Sequence, residues 1–117
     1  EEGAKILLAQ VDNPQAYGVA QIENQKVTQI IEKPSDPPSD WAVIGIYLYK
    51  PDVFEITRTL QPSNRGELEI TDVNNAYIER NAMQYDMLDG WWLDAGENHE
   101  SLLHANLTVA RQAGIEI

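Results

Sequence analysis

Glu32-Lys33-Pro34 sets a carboxylate beside an ammonium at the end of an apolar stretch. Such a pair suits a sugar phosphate, because the carboxylate accepts hydrogen bonds from hydroxyls and the ammonium neutralises phosphate. Proline fixes the exit of the chain, which puts the pair at a sheet rim rather than in mid-sheet. The same residues also read as a solvated surface pair, worth little energetically. A second cluster, Gly90-Trp91-Trp92-Leu93-Asp94-Ala95-Gly96, places aromatic faces next to a carboxylate. Aromatic rings can hold a sugar, a lone Asp can bind a hard cation through oxygen, and Gly96 lets the backbone approach a ligand closely. Equally, Trp91 and Trp92 can be core residues and Asp94 a helix cap. Tyr17-Gly18 offers a ring, a hydroxyl and an accessible amide, although this pairing is common in strands. Arg65, in Asn64-Arg65-Gly66-Glu67, can reach a phosphate or stay in solvent.

Several other chemistries lack their residues. His99 and His104 lie five apart on an expected helix, on different faces rather than at chelating spacing, and both read as structural or surface. No Ser-His-Asp arrangement and no Gly-rich phosphate loop is present. The absence of Cys excludes disulfides and thiolate metal sites.

These clusters must be held by strands and helices. Residues 5–11 form an apolar run that ends at the turn signal Asp12-Asn13-Pro14, and read as a first strand. Residues 17–22 and 27–32 read as two strands of a hairpin through Glu23-Asn24-Gln25-Lys26. Residues 35–40 form a polar loop with two prolines, and residues 41–49 are a strand rich in β-branched and aromatic types. The period then changes: Pro51-Asp52 opens a short helix with Val53, Ile56 and Leu60 on one face. A second helix is expected from Ile70 or Thr71 to Arg80, with Val73, Ala76 and Tyr77 inward. Residues 85–88 read as a short strand. A last helix runs over residues 98–112 with Leu102, Leu103, Leu107 and Ala110 inward, ending at Gly114. Strands mixed with helices make the class α/β or α+β, in one packing unit over residues 1–117.

A chain of 117 residues with 43% hydrophobic content can bury one core. Its net charge of −11, from 8 Lys and Arg against 19 Asp and Glu, repels a phosphate backbone, so general nucleic-acid binding is not expected. A single Lys or a metal ion can still reverse the field for a small phosphorylated ligand. The apolar runs are too short to span a bilayer, and no basic start leads into an apolar stretch. The expected location is the cytoplasm. The first residue is Glu1 rather than Met, consistent with a trimmed or excised chain.

The order and wording of these clusters resemble the sugar-1-phosphate nucleotidyltransferases, and among them the glucose-1-phosphate thymidylyltransferases. The similar segments are Tyr17-Gly18-Val19, Ile31-Glu32-Lys33-Pro34, Ala42-Val43-Ile44-Gly45-Ile46-Tyr47, Arg65-Gly66-Glu67-Leu68-Glu69-Ile70-Thr71-Asp72-Val73-Asn74 and Trp92-Leu93-Asp94-Ala95-Gly96. The resemblance implies part of a nucleotide-diphospho-sugar transferase (Rossmann-like) α/β fold, a mixed sheet with flanking helices. It also implies in-line attack of a sugar 1-phosphate on the α-phosphorus of a nucleoside triphosphate, with pyrophosphate leaving. Carried over by position, Tyr17, the Gly18 amide, Glu32 and the Val43 backbone would hold the sugar. Lys33 and Arg65 would neutralise its phosphate, Asp94 would bind Mg²⁺, and Trp92 would shape the site beside it. Lys33 and Asp94 would be the catalytic residues.

Two departures stand out. Ala95 occupies a place where many members have Thr, next to the ligand rather than on it. More important, nothing matches the family's amino-terminal Gly-rich loop with the Arg and Lys that bind the triphosphate. The chain is therefore expected to be the carboxy-terminal, sugar-binding part, inactive alone, with the missing amino-terminal half as a partner and a homo-oligomer as one way to cover an exposed edge. Two alternatives come from other classes. One is a stand-alone sugar-phosphate-binding or regulatory module. The other is an assembly domain using Trp41, Trp91 and Trp92 as an interface.

Overall fold

The computed structural model describes residues 3–64 and 66–116. Five strands form one sheet: β1 (Ala4–Gln10), β2 (Gly18–Glu23), β3 (Lys26–Glu32), β4 (Trp41–Tyr49) and β5 (Met83–Met87). The helices are α1 (Val53–Thr59), α2 (Ile70–Glu79) and α3 (His99–Gln112), with one 3-10 turn at Pro14–Ala16. The spatial order is β3-β2-β4-β1-β5, with β5 parallel to β1 and the other neighbours antiparallel. This is the expected mixed sheet with flanking helices.

Local chemistry accounts for the connections. Asn24 and Gln25 both take left-handed backbone angles, φ 51° and 63°, and close the β2–β3 hairpin with the twist its strands require. In the β1–β4 pairing the register moves from Ile6 opposite Tyr47 to Leu8 opposite Val43. The extra residues of β4 surround Gly45, whose φ of +82° suits the one residue without a Cβ. The β5 strand starts two residues before the expected position, because Ala4 pairs with Met83 at the head of the ladder.

Most of the core lies between the sheet and the first two helices. Ile6, Leu8, Ala20, Val27 and Ile30 form one buried group, against which Ile78 of α2 packs. Ala4, Ile56, Val73 and Tyr77 form another, bringing α1 and α2 together. β3 is the edge strand at the site end, and α2 closes it through Asn75. Its Oδ1 accepts from the Ile30 amide at 2.9 Å while its Nδ2 donates to the Ile30 carbonyl at 3.0 Å. The side-chain amide thus takes the place of a sixth strand at that residue.

The opposite face is only partly covered. Ala9, Ala42 and Ile44 are buried there, packed by Val11, Tyr17, Leu88 and Trp92. Further along the same strand Ile46 and Leu48 stay 54% and 62% exposed. α3 also departs from expectation: Leu102 and Leu103 were expected inward but are 47% and 58% exposed. Among its residues only Ala105 is buried. The helix forms as its period indicates, but no described element covers the face on which those leucines lie. The radius of gyration, 15.9 Å, exceeds the roughly 13 Å of a compact domain of this length, in keeping with an arm that packs lightly. No helix among the described residues is long and apolar enough to cross a membrane.

Candidate functional site

The antiparallel contact between β2 and β4 is brief, with Val19 opposite Ala42 as its one paired position. Ser39 replaces part of the missing ladder: its hydroxyl donates to the Ala20 carbonyl at 2.6 Å and accepts from the Trp41 amide at 3.1 Å. Beside this opening lies a cavity of about 210 Å³, walled by Tyr17 and Gly18, Ile30 and Glu32, Val43 and Tyr47, and by Ile70, Thr71 and Asn74 of α2. Four residues singled out in the sequence, Tyr17, Gly18, Glu32 and Val43, therefore converge from three strands.

Gly18 is needed for that convergence. A Cβ on it would stand 3.1 Å from Glu32 Oε2 and 3.6 Å from Ile30 Cγ2, so any side chain pushes on the carboxylate. Glu32 is also held from the helix side, since Thr71 Oγ1 donates to its Oε2 at 2.9 Å. One oxygen is fixed while the carboxylate remains open to a ligand hydroxyl. Lys33 follows in a left-handed conformation, φ 44°, and its amide donates to the Tyr17 carbonyl at 2.9 Å. Non-glycine residues rarely adopt this region, and here it ties the end of β3 to the start of β2. Lys33 lines an adjoining hollow of about 450 Å³ with Glu32, Ser63, Glu69, Thr71 and Asp72. A cation thus stands where the carboxylate ends, so a ligand with hydroxyls at one end and a phosphate at the other fits this order. Arg65 lies outside the described residues.

Tyr17 joins this cavity to a second. Its ring meets Trp92 edge to face, with centroids 5.3 Å apart. Both line a hollow of about 230 Å³ with Asp12, Asp94, Glu97, Ser101 and His104. Trp92 is therefore both a packing residue and a wall of a hollow. Trp91 is 51% exposed and belongs to neither cavity. Asp94 Oδ1 accepts from the Gly96 amide at 2.8 Å, a tight turn that aims the carboxylate rather than capping a helix. The cap of α3 is Asn98, paired reciprocally with Ser101 at 2.8 Å and 3.0 Å.

Burial raises the Tyr17 phenol above its usual value. An Asn13 hydrogen bond opposes this, and the Asp94 and Glu97 carboxylates add to the rise. Burial also raises Tyr47, with the Glu32 charge contributing. Both phenols stay protonated over the ordinary pH range and keep a hydroxyl donor.

The sequence reading passed over several wall residues. Thr71 and Asn74 stand three apart at the start of α2, a spacing that puts them on one helical face, and that face turns to the cavity. Tyr47 was read only as a strand former. His104 was read as structural or surface; it is exposed, yet it lines the Asp94 hollow. Among the described residues no three His, Cys, Asp or Glu side chains group closely enough to hold a metal ion.

Known proteins share this arrangement of elements. Residues 1–112 match the family model described as nucleotidyl transferase. The chain is 43% identical over 116 residues to the low-salt glycan biosynthesis nucleotidyltransferase Agl11 of Haloferax volcanii, covering 97% of this chain and 32% of that protein. It is 45% identical over 106 residues to the glucose-1-phosphate thymidylyltransferase of Neisseria meningitidis, covering 88% of this chain and 36% of that one. A crystal structure from Bacillus anthracis, provisionally assigned as a glucose-1-phosphate thymidylyltransferase and solved with a sucrose, superposes with a TM-score of 0.84 at 53% identity. That superposition covers 92% of this chain and 44% of the other. The chain spans about a third of the length of these curated relatives. With the family model running over residues 1–112 and the strands and helices superposing on a relative, the chain belongs to the nucleotidyl transferase family.

Proposed function

We propose that this chain is the sugar-phosphate-binding part of an enzyme that transfers a nucleotidyl group from a nucleoside triphosphate to a sugar 1-phosphate, releasing pyrophosphate. The observation that carries this reading is the meeting of Tyr17, Gly18, Glu32 and Val43 around one cavity, with Lys33 at its edge. The sugar is glucose 1-phosphate and the nucleotide dTTP, on the strength of the thymidylyltransferase relatives.

In this reading the Glu32 carboxylate accepts from sugar hydroxyls, with Thr71 holding one of its oxygens still. The Gly18 amide and the Val43 backbone offer polar groups that no side chain can displace. Lys33, with Arg65, neutralises the sugar phosphate and leaves one phosphate oxygen aimed at the α-phosphorus. Transfer of this kind depends on positioning and charge neutralisation more than on covalent help from the protein. Tyr17 and Trp92 form the wall between the sugar and the Asp94 side.

Mg²⁺ belongs to this proposal through Asp94. One carboxylate is too little to hold a cation alone, but Mg²⁺ usually keeps several waters and binds through one or two carboxylates plus substrate phosphates. Asp94 meets that description, and bound Mg²⁺ would supply charge neutralisation at the phosphates. Because no Gly-rich triphosphate loop lies within the 117 residues, the chain alone is proposed to be inactive. A pyrophosphate-release assay with dTTP, glucose 1-phosphate and Mg²⁺ checks this: no turnover above background is expected, and turnover near that of an intact relative refutes it.

A further inference from the structure

Asn74 is the one buried polar side chain among the described residues, 1% exposed. Its Oδ1 accepts from the Tyr49 hydroxyl at 2.6 Å. That hydroxyl is itself well fixed. The Tyr49 ring is stacked between Tyr47 and Tyr77, at 5.9 Å and 5.7 Å with rings inclined by 17° and 19°. Tyr77 is anchored in turn, donating to Asp52 Oδ1 at 2.8 Å. A rigid ladder of three rings from β4 and α2 therefore decides which way the Asn74 amide faces.

With Oδ1 occupied, Nδ2 carries the remaining donors, and no described residue accepts from them. Yet no side-chain nitrogen or oxygen sealed inside the described structure lacks a partner. Nδ2 is therefore not sealed, and the opening that Asn74 lines is the cavity of Tyr17, Gly18 and Glu32. A nearly buried amide whose donors meet only a cavity is equipped to bind whatever fills it.

We infer that Asn74 donates a hydrogen bond to a hydroxyl or ring oxygen of the sugar, and that Tyr49 is a positioning residue that holds the amide in the donating orientation. The inference rests on the cavity being the sugar site proposed above. A neutral amide suits the uncharged part of the ligand, while Lys33 serves the phosphate. Glu32 accepts and Asn74 donates across the same space, so one face of a sugar meets both kinds of partner. A site built to bond a hydroxyl discriminates sharply against an analogue that lacks it, which makes Asn74 a determinant of sugar choice.

The test is a calorimetric titration of the wild type, Asn74→Ala, Tyr49→Phe and Glu32→Gln with glucose 1-phosphate, its monodeoxy analogues and inorganic phosphate. Asn74→Ala is expected to weaken glucose 1-phosphate roughly tenfold and Tyr49→Phe about threefold, with inorganic phosphate unchanged. One deoxy analogue should be penalised with the wild type and carry no such penalty with Asn74→Ala, a coupling that a purely structural role does not produce. If Asn74→Ala fails to fold, Tyr49→Phe keeps the ring stack and decides through the same deoxy comparison. Folded variants with unaltered affinities and deoxy penalties overturn the inference, as does an equal loss for phosphate and every analogue. A wild type that ignores glucose 1-phosphate, or a Glu32→Gln variant that binds it normally, overturns the sugar site as well.

Discussion

The two cavities share Tyr17 but are built in different ways. The Glu32 cavity draws its walls from three strands and α2, and those elements are locked by the Asn75 clamp on Ile30, the Thr71 bond to Glu32 and the ring stack beneath. On the Asp94 side, residues 89–98 connect a strand to α3 through a Trp92 ring contact, one Asp94 turn and the Asn98 cap. α3 itself buries only Ala105 and leaves Leu102, Leu103 and Val109 about half exposed. The first cavity is thus formed by elements that stabilise one another, whereas the second is carried on a lightly packed arm. The contrast teaches that the cavity proposed to take the sugar is preformed within this chain, while the placement of Asp94 has little holding it.

The largest effects should fall on the first region. Tyr77 is fully buried between α1, α2 and the sheet, so Tyr77→Ala is expected to cost about 3 to 5 kcal/mol in a denaturant melt. A cost below about 1 kcal/mol would contradict the packing described. Alkaline pH should attack the same layer. The Tyr77 phenol is pushed from 10.0 up to about 12, by burial first and by the Asp52 bond and charge next, with Arg80 opposing. Its folded value lies above its unfolded one. The associated stability is therefore complete below the unfolded value and is lost as pH climbs through about 10 to 12. Tyrosinate absorbance should show delayed phenol ionisation followed by unfolding; ionisation of all phenols near their ordinary value in a folded protein would contradict it.

Smaller effects separate function from stability. Gly18→Val places a branched side chain against Glu32 and into the cavity. Glucose 1-phosphate affinity should fall by about tenfold or more with little change in melting temperature, because the carboxylate can move and the added Cβ meets core Ile30 only at the ordinary contact distance of 3.6 Å. Asn98→Ala removes the cap of α3 and should cost about 1 kcal/mol, read as faster amide exchange confined to that helix. Leu103→Gln should change stability by less than about 0.5 kcal/mol, since the side chain is already mostly in solvent. A loss several times larger would mean that α3 is firmly docked and that the contrast between the regions is wrong.

Much of the first region could be read directly from residue types. The hairpin turn, the aromatic and β-branched β4 and the 3.6-residue period of α2 are local signals, and they place Gly18, Glu32 and Lys33 at strand ends before any tertiary contact is known. What stayed out of reach depended on tertiary packing. Asn75 closing the edge of β3 links residues 45 apart, and Thr71 reaches Glu32 across 39. The outward leucines of α3 were misread for the related reason that periodicity identifies an apolar face without saying what covers it. The sequence assigns Asn74 no role, because a polar residue on a helix reveals its burial only when the helix is docked.

The most direct test of a preformed sugar site is a two-dimensional amide NMR titration of this chain with glucose 1-phosphate and Mg²⁺. The account predicts shifts centred on Tyr17, Gly18, Val19, Glu32, Lys33 and Val43, with small changes in α3. A flat titration on a well-dispersed, folded spectrum would contradict it.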